Sequence, residues 1–197
     1  MSRKGDWIRT YKGVNFYALD PRPEEILIED IARSLSYSSR YNGHMNIFYS
    51  VALHSLMVCK ELQERGYSKD LQLIGLLHDA SEAYICDIPR PLKPFLTNYY
   101  EIEKNLQDMI YEKFLGRLPT EEELEILKVI DDEALLYEAE NYITSNNWMW
   151  KKPAISKSLD ETWKKYIPYS TFESVERVFL EIFADIIIER AKEEEDE

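Results

Sequence analysis

The sequence predicts an all-α protein, a single helical domain, on three observations. Apolar residues recur at helical spacing over most of the 197 residues, beginning with Ile28, Ile31, Ala32 and Leu35. Residues that start and stop helices stand at the ends of those stretches: Ser68, the pair Thr120 and Glu123, and Gly66. No alternating apolar and polar series marks a sheet, and no internal repeat or low-complexity linker divides the chain. A chain of this length supports one well-filled core rather than two.

The segment YKGVNFYALDPRPEE, with its glycine and prolines, reads as irregular or short extended chain ahead of the first helix, IEDIARSLS. In YSVALHSLMVCKELQERG, Val51, Leu53, Leu56, Met57 and Leu62 are apolar and Gly66 ends the helix. Ser68 caps the next helix, which is expected to run unbroken through KDLQLIGLLHDASEAY. PRPLKPF then breaks the chain, because three prolines within six residues cannot lie inside a helix. A helix is expected over 97–115, and Thr120 with Glu123 forms a capping box at the head of a long one reaching about Ile143. SNNWMWKKP reads as a loop with apolar content, and Ser170 with Glu173 opens a last helix ending near Lys192. That helix is apolar around most of its circumference, from Phe172 to Ile188, which predicts core burial or a face between two copies of the chain. The domain is expected to occupy 1–192, with EEEDE at 193–197 an acidic disordered tail.

The net charge is −13, of which the tail holds five, leaving −8. This balance argues against a binder of duplex nucleic acid, whose affinity comes from cations placed against phosphates. A locally basic pocket for a small anion stays compatible with it. Hydrophobic residues make up 45%, the share of an ordinary globular protein rather than a disordered one. No run reaches the ~18 apolar residues of a membrane span. MSRKGDWIRT lacks the apolar core of a secretory signal, and Cys59 and Cys86 form neither a C-x-x-C pair nor a disulfide framework. A cytoplasmic protein with no membrane partner is expected.

The stretch GLLHDASEAYICDI, 75–88, opens as a core helix would and yet carries His78, Asp79, Glu82 and Asp87. Buried groups of this kind need pairing, hydrogen bonds or a metal ion. His44 follows RYNG and reads as a surface residue or an outer neighbour of a site rather than a ligand. His54, between Leu53 and Leu56, would by itself be a satisfied core histidine. Asp131 interrupts the apolar stripe Leu124, Leu127, Ile130 and Leu135 of the long helix and needs a partner there. Two imidazoles with two carboxylates form a mixed nitrogen–oxygen set suited to Mn, Co, Fe, Ni or Zn better than to calcium.

The series His54, then HD at 78–79, then Asp131, resembles the H…HD…D motif of the HD-domain phosphohydrolases. RYNGH…FYSVALHS, LLHDASEAYICDIPRPLK and TYKGVNFYALDPRP extend the likeness over about residues 6–142, toward small HD proteins of bacteria and phages. The resemblance implies a single HD-domain helical bundle. It points to the 5′-deoxynucleotidase branch and the phage dATP triphosphohydrolases, acting in the cytoplasm of a bacterium or a phage-infected host. It makes His54, His78, Asp79 and Asp131 ligands of a divalent ion (Co, Mn, Zn, Ni, Fe or Mg), with Asp132 the alternative to Asp131. Asp79 and Glu82 become the catalytic acids, Glu82 acting on water or its proton. Asp87 matches a residue that contacts the sugar 3′-hydroxyl, and Arg40 with Tyr41 an arginine–aromatic pair at the nucleotide pocket. Tyr41 stands where relatives often carry tryptophan, and Leu53 where they commonly have glutamate.

The chemistry is consistent with that likeness, because phosphate-ester hydrolysis needs a nucleophilic water, neutralised phosphoryl oxygens and a proton path. A divalent ion supplies the first two, and Glu82, one turn beyond His78, the third. Arg90 and Lys93 follow Asp87 closely enough to hold phosphates. The expected activity is therefore removal of a 5′-phosphate or a longer phosphate unit from a deoxynucleotide. Two other readings are a helical binding or scaffold protein with a structural metal site, and a cyclic-nucleotide phosphodiesterase. The second lacks the further histidines of larger multi-metal sites.

Overall fold

A computed structural model describes residues 3–143 and 171–195, with Glu161 and Lys164 between them, as an all-α bundle bearing one short hairpin. In the hairpin β1 (Ile8–Arg9) pairs antiparallel with β2 (Asn15–Phe16). Gly13 supplies the left-handed turn at φ +82. This is the extended segment expected ahead of the first helix, and it is anchored by Phe16, which is fully buried and stacked on Tyr84.

The α-helices that follow are α1 (Ile28–Tyr37), α2 (Val51–Glu64), α3 (Lys69–Leu77), α4 (Glu82–Ile85), α5 (Tyr99–Phe114), α6 (Glu121–Tyr142) and α7 (Phe172–Glu195). The caps predicted at Ser68 and at Thr120 with Glu123 are present, and Ser50 adds one that was not predicted. The Ser50 hydroxyl accepts the Leu53 N–H at 3.1 Å to start α2, and the Ser68 hydroxyl accepts that of Leu71 at 3.2 Å to start α3. At the head of α6 both halves of the capping box form, Glu123 N–H to Thr120 Oγ1 at 3.2 Å and Thr120 N–H to Glu123 Oε2 at 2.8 Å. Gly66, at φ +76, ends α2.

The two helices that bring in the histidines lie at the centre. α2 packs against α1, α3, α6 and α7, and α3 against α5, α6 and α7. Gly75 sets how closely α2 and α3 approach. A Cβ there would stand 2.4 Å from Leu62 Cδ1 and 3.4 Å from Val58 Cγ1, so any larger residue would have to displace the buried Leu62 side chain.

The structure departs from the predicted elements in two places. The helix expected through 69–84 ends at Leu77. Beyond it hydrogen bonds shorten to three-residue spacing, Ala80 N–H to Leu77 C=O at 2.9 Å and Glu82 N–H to Asp79 C=O at 3.0 Å, before the single turn of α4. The cause lies on α5, where the Gln107 amide donates to Leu77 C=O at 2.8 Å and accepts Ser81 N–H at 3.0 Å. A side chain from outside the helix thus replaces part of its ladder, which no local pattern announces. The last helix reaches Glu195, so the first three residues of the tail expected to be disordered are helical. Its predicted start at Ser170 lies outside the described residues, as does the loop 145–153. The bonds at this end join Thr171 and Ser174, each N–H to the other's hydroxyl, at 3.0 and 3.2 Å.

The apolar circumference of α7 is spent largely on the core. Val175, Phe179 and Ile186 are buried against α1, α2 and α3, while Ile188 stays exposed. Arg190 ties α7 to the end of α5 by donating to Phe114 C=O at 3.2 Å and Leu115 C=O at 2.9 Å. Among the described residues no helix is long and apolar enough to cross a membrane.

Candidate metal centre and cleft

Three elements converge on one point. α2 presents His54, fully buried; the turn after α3 presents His78 and Asp79; α6 presents Asp131. The ligand atoms of His54, His78 and Asp131 all lie within 4.8 Å of one another, a group able to hold a metal ion. His54 Nε2 stands 3.2 Å from His78 Nε2 and 3.0 Å from Asp131 Oδ1. Because the helix has tightened at Leu77, neighbouring His78 and Asp79 reach the same place, Asp79 Oδ2 lying 3.3 Å from His78 Nε2 and 3.9 Å from His54 Nε2. Asp79 sits at the edge of the group, held by Arg40 Nη1 at 3.2 Å. Asp132, the alternative to Asp131, is instead paired with Lys128 at 2.6 Å.

The donor set suits a divalent ion. Each imidazole uses Nδ1 elsewhere, His54 on Glu138 Oε1 at 2.6 Å and His78 on Gly75 C=O at 2.7 Å. Both therefore turn Nε2 inward, 3.2 Å apart, where the two nitrogens can share a proton or face one ion. Two imidazoles oriented through Nδ1, with carboxylates alongside, form the mixed set that borderline divalent metals favour. The same close packing of acids and imidazoles shifts their titration. Burial and Arg40 push the His54 imidazole down, yet Glu138 and Asp131 outweigh them and carry it up to about 9. Burial raises the Asp131 carboxyl, but its bond to His54 and the two imidazole charges hold it down at about 2. Against the same cost of burial, Asp79 is drawn well below the usual carboxylate range, chiefly by His78.

Every predicted site residue other than the two histidines lines a cleft of about 730 Å³ above this group. Glu82, far from being a surface acid, is buried, and its Oε2 has no hydrogen-bond partner. Burial first, then the charges of Asp79 and Asp87, push its carboxyl up to about 10. Asp87 is half-buried and also raised, chiefly by burial. Lys93 is not a free loop cation, since it donates to Glu103 at 2.7 Å and stands 4.0 Å from Glu82 Oε1. Arg90 is 70% exposed at the mouth, 3.9 Å from both Asp131 and Asp132. Arg40 is engaged from below as well, its Nε on Glu138 Oε2 at 3.2 Å. The Tyr41 hydroxyl reaches Glu138 Oε2 and Leu135 C=O, each at 3.3 Å. His44 is exposed, as the sequence suggested.

Sequence reasoning missed Glu138. It lies seven residues beyond Asp131, two turns along the same face of α6, between buried Tyr137 and Ala139. An acid at that spacing on a buried stripe was the available signal.

No family model matches the chain. Two curated proteins are similar over part of it. Uncharacterized protein YfdR of Escherichia coli (strain K12) is 40% identical over 108 residues, 55% of this chain and 58% of that protein. An uncharacterized protein of Rhodobacter capsulatus is 38% identical over 117 residues, 56% of this chain and 59% of that one. The matches thus span under three-fifths of the length of these curated relatives, and neither relative's name states an activity.

Proposed function

We propose that this chain is a metal-dependent phosphohydrolase of the HD-domain type that acts on deoxynucleotides, removing a 5′-phosphate or a longer phosphate unit. The observation that carries the reading is the pair of inward-turned Nε2 atoms beside Asp131, at the floor of a cleft wide enough for a nucleotide. His54, His78 and Asp131, joined by Asp79, would hold the ion. When bound, it supplies Lewis acidity toward phosphoryl oxygens and makes a water easier to deprotonate. Glu82, whose carboxyl burial raises and which faces the cleft, is placed to hold or pass on a proton for the water or the leaving oxygen. Arg90 and Lys93 place positive charge toward the mouth for phosphate. Asp87 offers an acceptor to a sugar hydroxyl, and the Tyr41 ring narrows the wall against a 2′-hydroxyl. The resemblance of the H…HD…D series supports the same assignment.

The test is a panel of all eight canonical nucleoside triphosphates and their monophosphates, each with Mn, Co, Mg or Zn, read by chromatography. Metal-dependent turnover with deoxy- preferred over ribonucleotides is expected, dideoxynucleotides being poor substrates because they leave Asp87 unpaired. Equal cleavage of dATP and ATP, and of dAMP and AMP, would remove the deoxynucleotide assignment. Stoichiometric metal with no turnover on any nucleotide would leave a structural metal site in its place.

A further inference from the structure

We propose that Glu138 is a positioning residue that couples the metal-holding end of the cleft to its Arg40–Tyr41 wall. The inference rests on the metal-centre part of the functional reading and not on the reaction assigned to it. Glu138 is fully buried, and its two oxygens are divided between the two sides. Oε1 takes Nδ1 of His54 at 2.6 Å; Oε2 takes Arg40 Nε at 3.2 Å and the Tyr41 hydroxyl at 3.3 Å. Toward the metal group, a carboxylate on Nδ1 fixes the tautomer and the ring plane of His54 and makes Nε2 a better donor. Toward the wall, the same carboxylate holds a segment whose backbone is unfavourable by itself. Tyr41 and Asn42 are consecutive left-handed residues, at φ 53 and φ 50, a conformation that side chains with a Cβ seldom adopt. Tyr41 keeps it while its hydroxyl is tied to Glu138 and Leu135, and Arg40, one residue earlier, is tied to Glu138 and Asp79.

One carboxylate thus serves two donor sets, and it joins His54 to Tyr41, whereas the Arg40–Asp79 pair at 3.2 Å links the wall to the other side of the group. A shift of His54 on taking up an ion moves Oε1, and the rigid carboxylate passes the movement to Oε2 and the wall. By linkage, a change in the wall alters metal affinity by the same factor. A buried acid that merely filled a hydrogen-bonding role would stabilise the fold without this reciprocity.

The experiment measures Mn and Co affinity by calorimetry in wild type, Glu138→Gln, Tyr41→Phe and the double variant. Amide hydrogen exchange over residues 40–44 is followed with and without saturating Mn. Glu138→Gln keeps the shape of the side chain and is expected to lose about 10–100-fold in metal affinity. Tyr41→Phe touches no ligand and is expected to lose about fivefold in wild type and nothing further when combined with Glu138→Gln. Mn should slow exchange over 40–44 in wild type and leave it unchanged in the saturated Glu138→Gln protein. Unaltered affinity in Glu138→Gln overturns the proposal, and so does a Tyr41→Phe loss of equal size in both backgrounds. If Glu138→Gln fails to fold, Tyr41→Phe decides, since its unaltered affinity and unaltered Mn-induced protection also overturn it. Wild type that binds neither ion removes the metal centre and this inference together, whereas bound metal without additivity failure removes the inference only.

Discussion

The floor and the mouth of the cleft hold similar residues under different physics. On the floor His54, His78, Asp131, Glu138 and Arg40 meet at 2.6 to 3.2 Å, with His54 and Glu138 fully buried and the others partly so. At the mouth Arg90 is solvated, with its nearest acids at 3.9 Å, and Lys128 pairs with Asp132 on an open helix face. Buried charges depend on their partners, because removing one leaves the other desolvated and uncompensated. Exposed pairs are screened by water and salt and contribute little to stability. The contrast teaches that the floor is held to one geometry by its partners, whereas the mouth charges are loosely paired and solvent-screened.

The largest effects should come from the floor. His54→Ala, Asp79→Ala and Asp131→Ala are each expected to bring metal content, measured on the purified protein, close to zero and to abolish turnover. Stoichiometric metal retained in any of them would take that residue out of the ligand set. Glu82→Gln should keep its metal and lose about 10²–10⁴ in kcat, the usual worth of a positioned acid or base. A loss under tenfold would make Glu82 a structural acid despite its burial.

The pH dependence of metal uptake follows from His54. Its imidazole is pushed up to about 9, and the protonated ring has no lone pair to give at Nε2. Metal uptake must then release that proton, so affinity should rise by up to about tenfold per pH unit from 7 toward 9 and level off above. Calorimetry in buffers of different ionisation enthalpy would count the protons released. For folding without added metal the sign is opposite. A folded-state value above the ordinary 6.5 gives stability that is fully present below about pH 6.5 and is lost as pH rises through about 9.

Gly75→Ala presses a methyl into Leu62 and should cost about 1–3 kcal/mol in denaturant unfolding, while loosening His78 through its carbonyl partner. The smallest effect belongs to the mouth. Arg90→Ala should raise KM by about fivefold or less, leave kcat and stability unchanged, and lose even that effect in high salt. A large drop in kcat there would erase the distinction between the two regions.

The sequence was most readable where short-range chemistry rules. Ser68, the Thr120–Glu123 box and Gly66 sit at helix ends because their side chains or dihedrals satisfy groups within four residues. Asp131 stood out because a carboxylate on an apolar stripe requires a partner, and the partner proved to be His54. Glu138 carries only the weak signal of its spacing from Asp131 on a helix rich in glutamate, and the approach of α2 is what makes it a partner of His54. The tightening after Leu77 was invisible for a similar reason, its cause being Gln107, thirty residues away.

Local order therefore follows from residues a few positions apart: an all-α chain, its caps, and a histidine–aspartate series able to serve a metal. Burial and distance belong to the assembled bundle. It is the close crossing of α2 and α3 at Gly75 that turns two ordinary imidazoles toward each other, and the desolvation around them that raises Glu82 to about 10, while their buried acid partners carry His54 to about 9. Those shifts depend on which charges lie within a few ångströms in a poorly solvated interior, a property of packing that no spacing along the chain encodes.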